Sequence, residues 1–161
     1  MSETFRDGEI KGVVVCKLTK SHDPRGWLAE IFRKDDLEEE FFPVMAYISA
    51  SNPGVTRGPH EHLEQADLFC FIGPSNFKLR MWDNRKESET FGCVTTLIVG
   101  QDNPASVIVP AGVVHAYQNV GDVEGIVINC PNRLYRGHGR KNAVDEVRHE
   151  NDGHTSFRMD D

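Results

Sequence analysis

Three histidines fall in two blocks whose spacing could gather them at one place. The first block runs Gly54-Val55-Thr56-Arg57-Gly58-Pro59-His60-Glu61-His62 and continues through Gln65 to Asp67. The second runs Pro110-Ala111-Gly112-Val113-Val114-His115-Ala116-Tyr117-Gln118-Asn119. On a β-strand, residues two apart share a face, so His60 and His62 project together. A turn through Pro110 and Gly112 would bring His115 in on another strand, with Asp67 nearby. Two chemistries suit such a set. Three imidazoles and a carboxylate (His60, His62, His115, Asp67) are ligands for a divalent Zn, Fe, Ni or Mn. The same imidazoles are acid–base groups near neutral pH. The plain alternative is that they only line a polar barrel mouth.

The elements that must carry these residues are short. Apolar runs at 12–18, 44–49, 68–72, 77–82, 94–99, 107–109, 113–117 and 125–128 are each bounded by turn-forming residues. Short strands at this spacing predict an all-β sandwich or barrel. The acidic run Asp35-Asp36-Leu37-Glu38-Glu39-Glu40 predicts one short helix. Beyond Arg133 the apolar runs stop, which predicts an irregular tail over 133–161 that wraps the domain or a neighbour, with a short helix near Ala143–Val147. The whole reads as a single domain, 1–161, with its core over about 10–132. The block from Asp83 to Gly92 reads as a salt-bridged turn.

With 161 residues, 39% of them hydrophobic, the chain can build one core without metal or disulfide. A net charge of −7 argues against nucleic acid or an anionic membrane as partner. Cys16, Cys70, Cys93 and Cys130 form no CxxC pair and read as reduced thiols. No apolar run approaches the roughly 20 residues of a membrane span, and Met1-Ser2-Glu3-Thr4 has no signal-peptide character. These features predict a cytoplasmic protein.

The two histidine blocks resemble the two cupin motifs. Gly54, His60 and His62 fit the first, with Asp67 as its acid, and Pro110 to Asn119 fits the second at every fixed position. The resemblance implies a cupin-type jelly-roll β-barrel. A narrower one covers about residues 21–130. Asp23-Pro24-Arg25-Gly26-Trp27 with Glu30-Ile31-Phe32, Gly54 to His60, Gln65-Ala66, Asp83 to Gly92 and Pro110 to Ala116 resemble segments of the dTDP-4-dehydrorhamnose 3,5-epimerase family.

This second resemblance implies a homodimeric epimerase or isomerase of deoxysugar biosynthesis, acting on a nucleotide-linked 4-keto-6-deoxy sugar without a cofactor. It implies His60 as base, with Asp152 as its partner acid. Arg25, Glu30, Asn52, Arg57, Gln65 and Tyr117 become candidate substrate contacts, the two arginines for the diphosphate. The sequence departs from the family twice. Asp67 replaces a lysine, and the tyrosine expected two residues before Cys130 falls on Ile128. The pair His60 and His62 also resembles the paired histidines of sugar-nucleotide 3,4-ketoisomerases. Three functions therefore stand side by side: a metal-independent epimerase, a metal cupin such as a dioxygenase or metal-dependent isomerase, and a non-catalytic sugar-nucleotide-binding relative.

Overall fold

A computed structural model describes residues 5–160. Its strands are β1 (Arg6–Asp7), β2 (Val14–Lys17), β3 (Ser21–Asp23), β4 (Gly26–Leu28), β5 (Tyr47–Ser51), β6 (Thr56–Glu61) and β7 (Asp67–Phe71). They continue as β8 (Asn76–Asp83), β9 (Cys93–Gly100), β10 (Ala105–Val109), β11 (Val113–Asn119), β12 (Gly125–Asn129) and β13 (Val147–Arg148). One sheet has the order β1-β9-β8-β11-β6-β13 and a second the order β2-β10-β7-β12-β5. Strands β3 and β4 form a separate hairpin.

The two sheets face each other, as in a jelly roll. Alternation along each strand sorts the side chains. Phe69, Phe71, Val107 and Val127 from one sheet meet Phe77, Leu79, Met81, Val99, Val113 and Tyr117 from the other in one buried cluster. The intervening residues point outward, and the chain's two ends cover them. Ile31, Leu37 and Phe41 from the N-terminal arm pack on Leu68, Cys70, Ile108, Ile128 and Cys130. Phe157 and Met159 from the tail pack on Trp82, Val94, Val114 and Ala116. Cys70, Cys93 and Cys130 are buried free thiols, whereas Cys16 is exposed on edge strand β2.

Two helix expectations are overturned. The acidic run forms no helix, only separate 3₁₀ turns at Lys34–Asp36 and Glu39–Phe41. Phe41 and Leu37 are held against the sheet, and such packing outweighs the weak preference of a six-residue helix. No helix forms at Ala143–Val147 either. Val147 and Arg148 pair with Glu61 and His60, so β6 takes the backbone bonds a helix would have used. The tail wraps its own barrel.

Candidate active site

Strand pairing brings the two histidine blocks together. β11 pairs antiparallel with β6, placing His115 opposite His60 and Tyr117 opposite Arg57. Between these pairs β6 spends one extra residue, a bulge at Gly58 and Pro59. Gly58 has φ +86°, and a Cβ there would lie 2.6 Å from the His115 carbonyl oxygen, so a side chain is excluded. The turn into β11 is held by the Gly112 N–H, which donates to the His62 carbonyl at 2.8 Å.

The three rings form one cluster on the inner wall. Their centroids lie 4.5 Å apart for His60 and His115, 5.8 Å for His60 and His62, and 6.0 Å for His62 and His115. One ring nitrogen from each lies within 4.8 Å of the others. Asp67 opens β7 on the facing sheet with its carboxylate fully buried. Its Oδ2 is 3.1 Å from His62 Nε2 and 3.3 Å from His115 Nε2. Its Oδ1 accepts from Gln65 Nε2 and Asn129 Nδ2, both at 2.8 Å.

These contacts set the charges. Burial raises the Asp67 pKa, but the adjacent His115 and His62 outweigh it and hold the carboxyl well below the usual range. Burial pulls His62 down, yet Asp67, the Asp145 carbonyl and the Asp145 carboxylate together raise it to about 9. His60 moves the other way, to about 2, because burial and its two histidine neighbours all disfavour a proton. The site therefore holds a charged His62–Asp67 pair beside a neutral His60. His115 donates from Nδ1 to the Val113 carbonyl at 3.0 Å, which turns Nε2 toward Asp67.

The remaining site candidates separate. Arg57 stands at the mouth on the inner face, its Nε bonded to Ser51 Oγ at 2.9 Å and its Nη2 to the Ala50 carbonyl at 2.6 Å. Tyr117 places its ring among Phe69, Phe71 and Phe77 and its hydroxyl 3.1 Å from Ser49 Oγ. Gln65 is buried behind Asp67 and holds it in place. Asn52 is exposed in the turn after β5, where its carbonyl accepts from the Val55 N–H.

Arg25 and Glu30 do not join the cluster. Arg25 lies on the β3–β4 hairpin, its side chain 89% exposed and paired with Asp23. Glu30 pairs with Arg33 at 3.6 Å and lines a groove of about 440 Å³ on the outside of the five-stranded sheet. The expectation that Arg25 joins Arg57 as a diphosphate contact is not met within this chain, because the hairpin that carries Arg25 belongs to neither sheet.

Asp152 is exposed and caps its own turn through the His154 N–H at 2.9 Å, so its carboxylate does not serve His60. The tail acid at the site is Asp145. Its carboxylate accepts the N–H groups of Leu63, Glu64 and Gln65, and its carbonyl accepts from His62 Nδ1. His149 bonds Glu61 Oε1 at 2.8 Å and packs on Phe157. No spacing in the sequence marks Asp145 or His149, because both act across eighty or more residues.

The facing sheets and the inward histidines define a cupin-type jelly roll built for proton transfer. The family model of dTDP-4-dehydrorhamnose 3,5-epimerase matches residues 7–147. The chain belongs to that family, and it is a sugar-nucleotide epimerase acting on a 4-keto-6-deoxy sugar.

The chain is 35% identical to the probable low-salt glycan biosynthesis epimerase Agl13 of Haloferax volcanii over 127 residues, 78% of this chain and 81% of that one. It is 36% identical to the spore coat polysaccharide biosynthesis protein SpsL of Bacillus subtilis over 119 residues, 74% and 78% of the two chains. In fold it is similar to the dTDP sugar isomerase of Desulfovibrio desulfuricans G20, with a TM-score of 0.75, 21% identity, and 86% and 84% of the two chains covered. The family favours neither the metal-cupin readings, dioxygenase or metal-dependent isomerase, nor the non-catalytic one. Among the described residues no helix is long and apolar enough to cross a membrane.

Proposed function

We propose that this chain inverts a stereocentre beside the ketone of a dTDP-linked 4-keto-6-deoxy sugar, with His60 as the base. The observation that carries the reading is the placing of His60 beside His115 on the same inner face as Arg57. The His60 lone pair takes the proton from the carbon next to the ketone. The C–H electrons move into an enolate, and a proton returned from the opposite face inverts the centre. Arg57 binds the diphosphate at the mouth.

Asp67 does not stand as a bare anion against the enolate. His62 offsets its charge, and Gln65 and Asn129 donate to it. His62 supplies the positive charge of the site, but both its ring nitrogens are already engaged. It acts through its field rather than as a donor to the enolate oxygen.

The test is a dTDP-4-keto-6-deoxy sugar in heavy water, followed by proton NMR. Deuterium uptake beside the ketone by the wild-type protein, and none by His60→Asn, supports the reading. No uptake by the wild type retires it.

A homodimer belongs to the same proposal. The β3–β4 hairpin exposes Trp27 and Leu28, and edge strand β2 exposes Val14 and Val15. A second copy covering this region would give Arg25 and Glu30 a barrel to serve. A monomer by light scattering at micromolar concentration would count against it. We also place the protein in the cytoplasm, where nucleotide-linked sugars are made.

A second reading puts a divalent metal in the same site. Asp67 Oδ2 and His115 Nε2 are buried and near one another, yet lack well-formed hydrogen bonds. His60, His62, His115 and Asp67 would hold the ion, which would polarise the ketone oxygen. About one equivalent of Zn, Fe, Ni or Mn after chelator-free purification would favour it.

A further inference from the structure

Inversion needs a proton donor on the wall facing the base, and the position expected from the family cannot supply one. Ile128 points outward, packed with Cys70 and Leu68 beneath the N-terminal arm. Strand parity on β12 puts Val127 and Asn129 inside instead. Directly opposite Asn129 across the β5 ladder stands Tyr47. Side chains in such a pair sit roughly 5 Å apart at Cβ.

The hydrogen bonds fix which group holds a spare proton. Asp67 is ionised and can only accept, so Asn129 turns its amide nitrogen toward it. The same nitrogen donates its second hydrogen to the Tyr47 hydroxyl at 2.8 Å. Tyr47 oxygen therefore accepts, and among the described residues no acceptor takes the phenolic proton. Tyr47 as a residue is 44% exposed, but its hydroxyl is the inner end. Burial and the nearby Asp67 charge push its pKa up to about 12, so the proton stays on at neutral pH.

The other tyrosines fit less well. Tyr117 shares its hydroxyl bond with Ser49, deep in the aromatic cluster and on the same sheet as His60. Tyr135 is exposed on the tail.

We propose that Tyr47, reaching in from the five-stranded sheet opposite His60 on the six-stranded sheet, is the proton donor that completes inversion. This assignment rests on the proposed epimerase reading. The enolate carbon takes the phenolic proton from the face opposite His60. That leaves a Tyr47 phenolate and a His60 imidazolium, and each returns to its starting state by exchanging one proton with water. The Asn129 N–H already at the Tyr47 oxygen steadies the phenolate.

The experiment compares wild type, Tyr47→Phe, Tyr117→Phe and His60→Asn on the same dTDP-4-keto-6-deoxy sugar in heavy water. Tyr47→Phe is expected to keep washing deuterium into the carbon beside the ketone, because His60 can take a proton and return a deuteron. Its formation of the epimer should fall by roughly 100-fold or more. Its dTDP affinity by calorimetry should stay within about twofold of wild type. Epimer formation by Tyr47→Phe at the wild-type rate overturns the assignment, as does the expected pattern appearing in Tyr117→Phe instead. No exchange by the wild type overturns the epimerase reading itself, and this assignment with it. If Tyr47→Phe does not fold, fluorotyrosine at position 47 serves. The basic limb of the inversion rate should then move to lower pH, and an unmoved limb overturns the assignment.

Discussion

The two ends of the barrel interior meet along β7 and β11 and do opposite things. At one end Asp67, Asn129, Tyr47, His60 and His115 face inward, with Asp67, Asn129 and Tyr47 joined by hydrogen bonds and His60 packed edge-on against His115. At the other, Phe71, Phe77, Leu79 and Val99 are fully buried and apolar. Along β7 the change takes two residue pairs, from Asp67 through Phe69 to Phe71. Tyr117 joins the two ends, with its ring among the phenylalanines and its hydroxyl on Ser49. A jelly roll can thus keep a packed core as foundation and hold charged chemistry a few ångströms above it. The charges are tolerated because each has a partner before any substrate arrives.

Breaking each end separately tests that division. The largest effect falls on chemistry at the polar end. His60→Asn should lower deuterium exchange by about 10²–10⁴-fold, with a melting temperature close to wild type. A variant that melted early instead would make His60 a structural residue.

Asp67→Ala should be the exception that shows how the polar end is held. It strands His62 and the donors Gln65 and Asn129, and breaking such a buried pair costs about 3–5 kcal/mol. Urea unfolding measures it, and a cost below about 1 kcal/mol would show that the pair is not holding the site.

At the apolar end, Phe71→Ala should cost a similar 3–5 kcal/mol by cavity formation. Exchange activity per folded molecule should change by less than about twofold. Loss of activity in folded Phe71→Ala would erase the division between the ends.

Arg57→Ala at the mouth should weaken dTDP binding by about tenfold, roughly 1.4 kcal/mol, from loss of a charge-assisted contact. Unchanged affinity by calorimetry would remove Arg57 from the diphosphate site.

The polar end also gives stability a pH dependence. The folded-state pKa of His62, about 9, lies above its ordinary 6.5. Its contribution is fully present below pH 6.5 and is lost as pH rises through about 9. His60 is displaced the other way, to about 2, so it weakens the fold as pH falls below 6.5. Asp67 adds to the acid loss. Melting temperature should therefore decline on both sides of about pH 6.5, and His62→Gln should flatten the alkaline side. An unchanged alkaline slope would deny the charged pair.

Much of this architecture is legible in the residue order. The short apolar runs mark β2, β5 and β7–β12, because strands covered on both faces, such as β7 and β10, read as brief continuous apolar stretches between turn residues. The block from Asp83 to Thr90 closes as the expected turn, with Arg85, Ser88 and Thr90 all bonded to the Asp83 carboxylate. Less visible are the β3–β4 hairpin, with its charged tip, and β13, which is two residues long and exists only because β6 offers it a partner. The acidic run misleads for the same reason, since packing against the sheet decides its shape.

The sequence by itself determined an all-β sandwich or barrel, which its resemblance to the cupin motifs narrowed to a jelly roll, and it brought His60, His62, His115 and Asp67 near one another. Strand period and turn residues are local properties, and they project histidines two apart to one face. Only the tertiary structure decided that Ile128 points outward and Tyr47 inward, that Asp145 rather than Asp152 reaches the histidines, and that Arg25 leaves its own barrel. Each of these turns on which strand lies beside which and on the parity of that pairing. That choice is made by packing across long stretches of chain, and no short motif carries it.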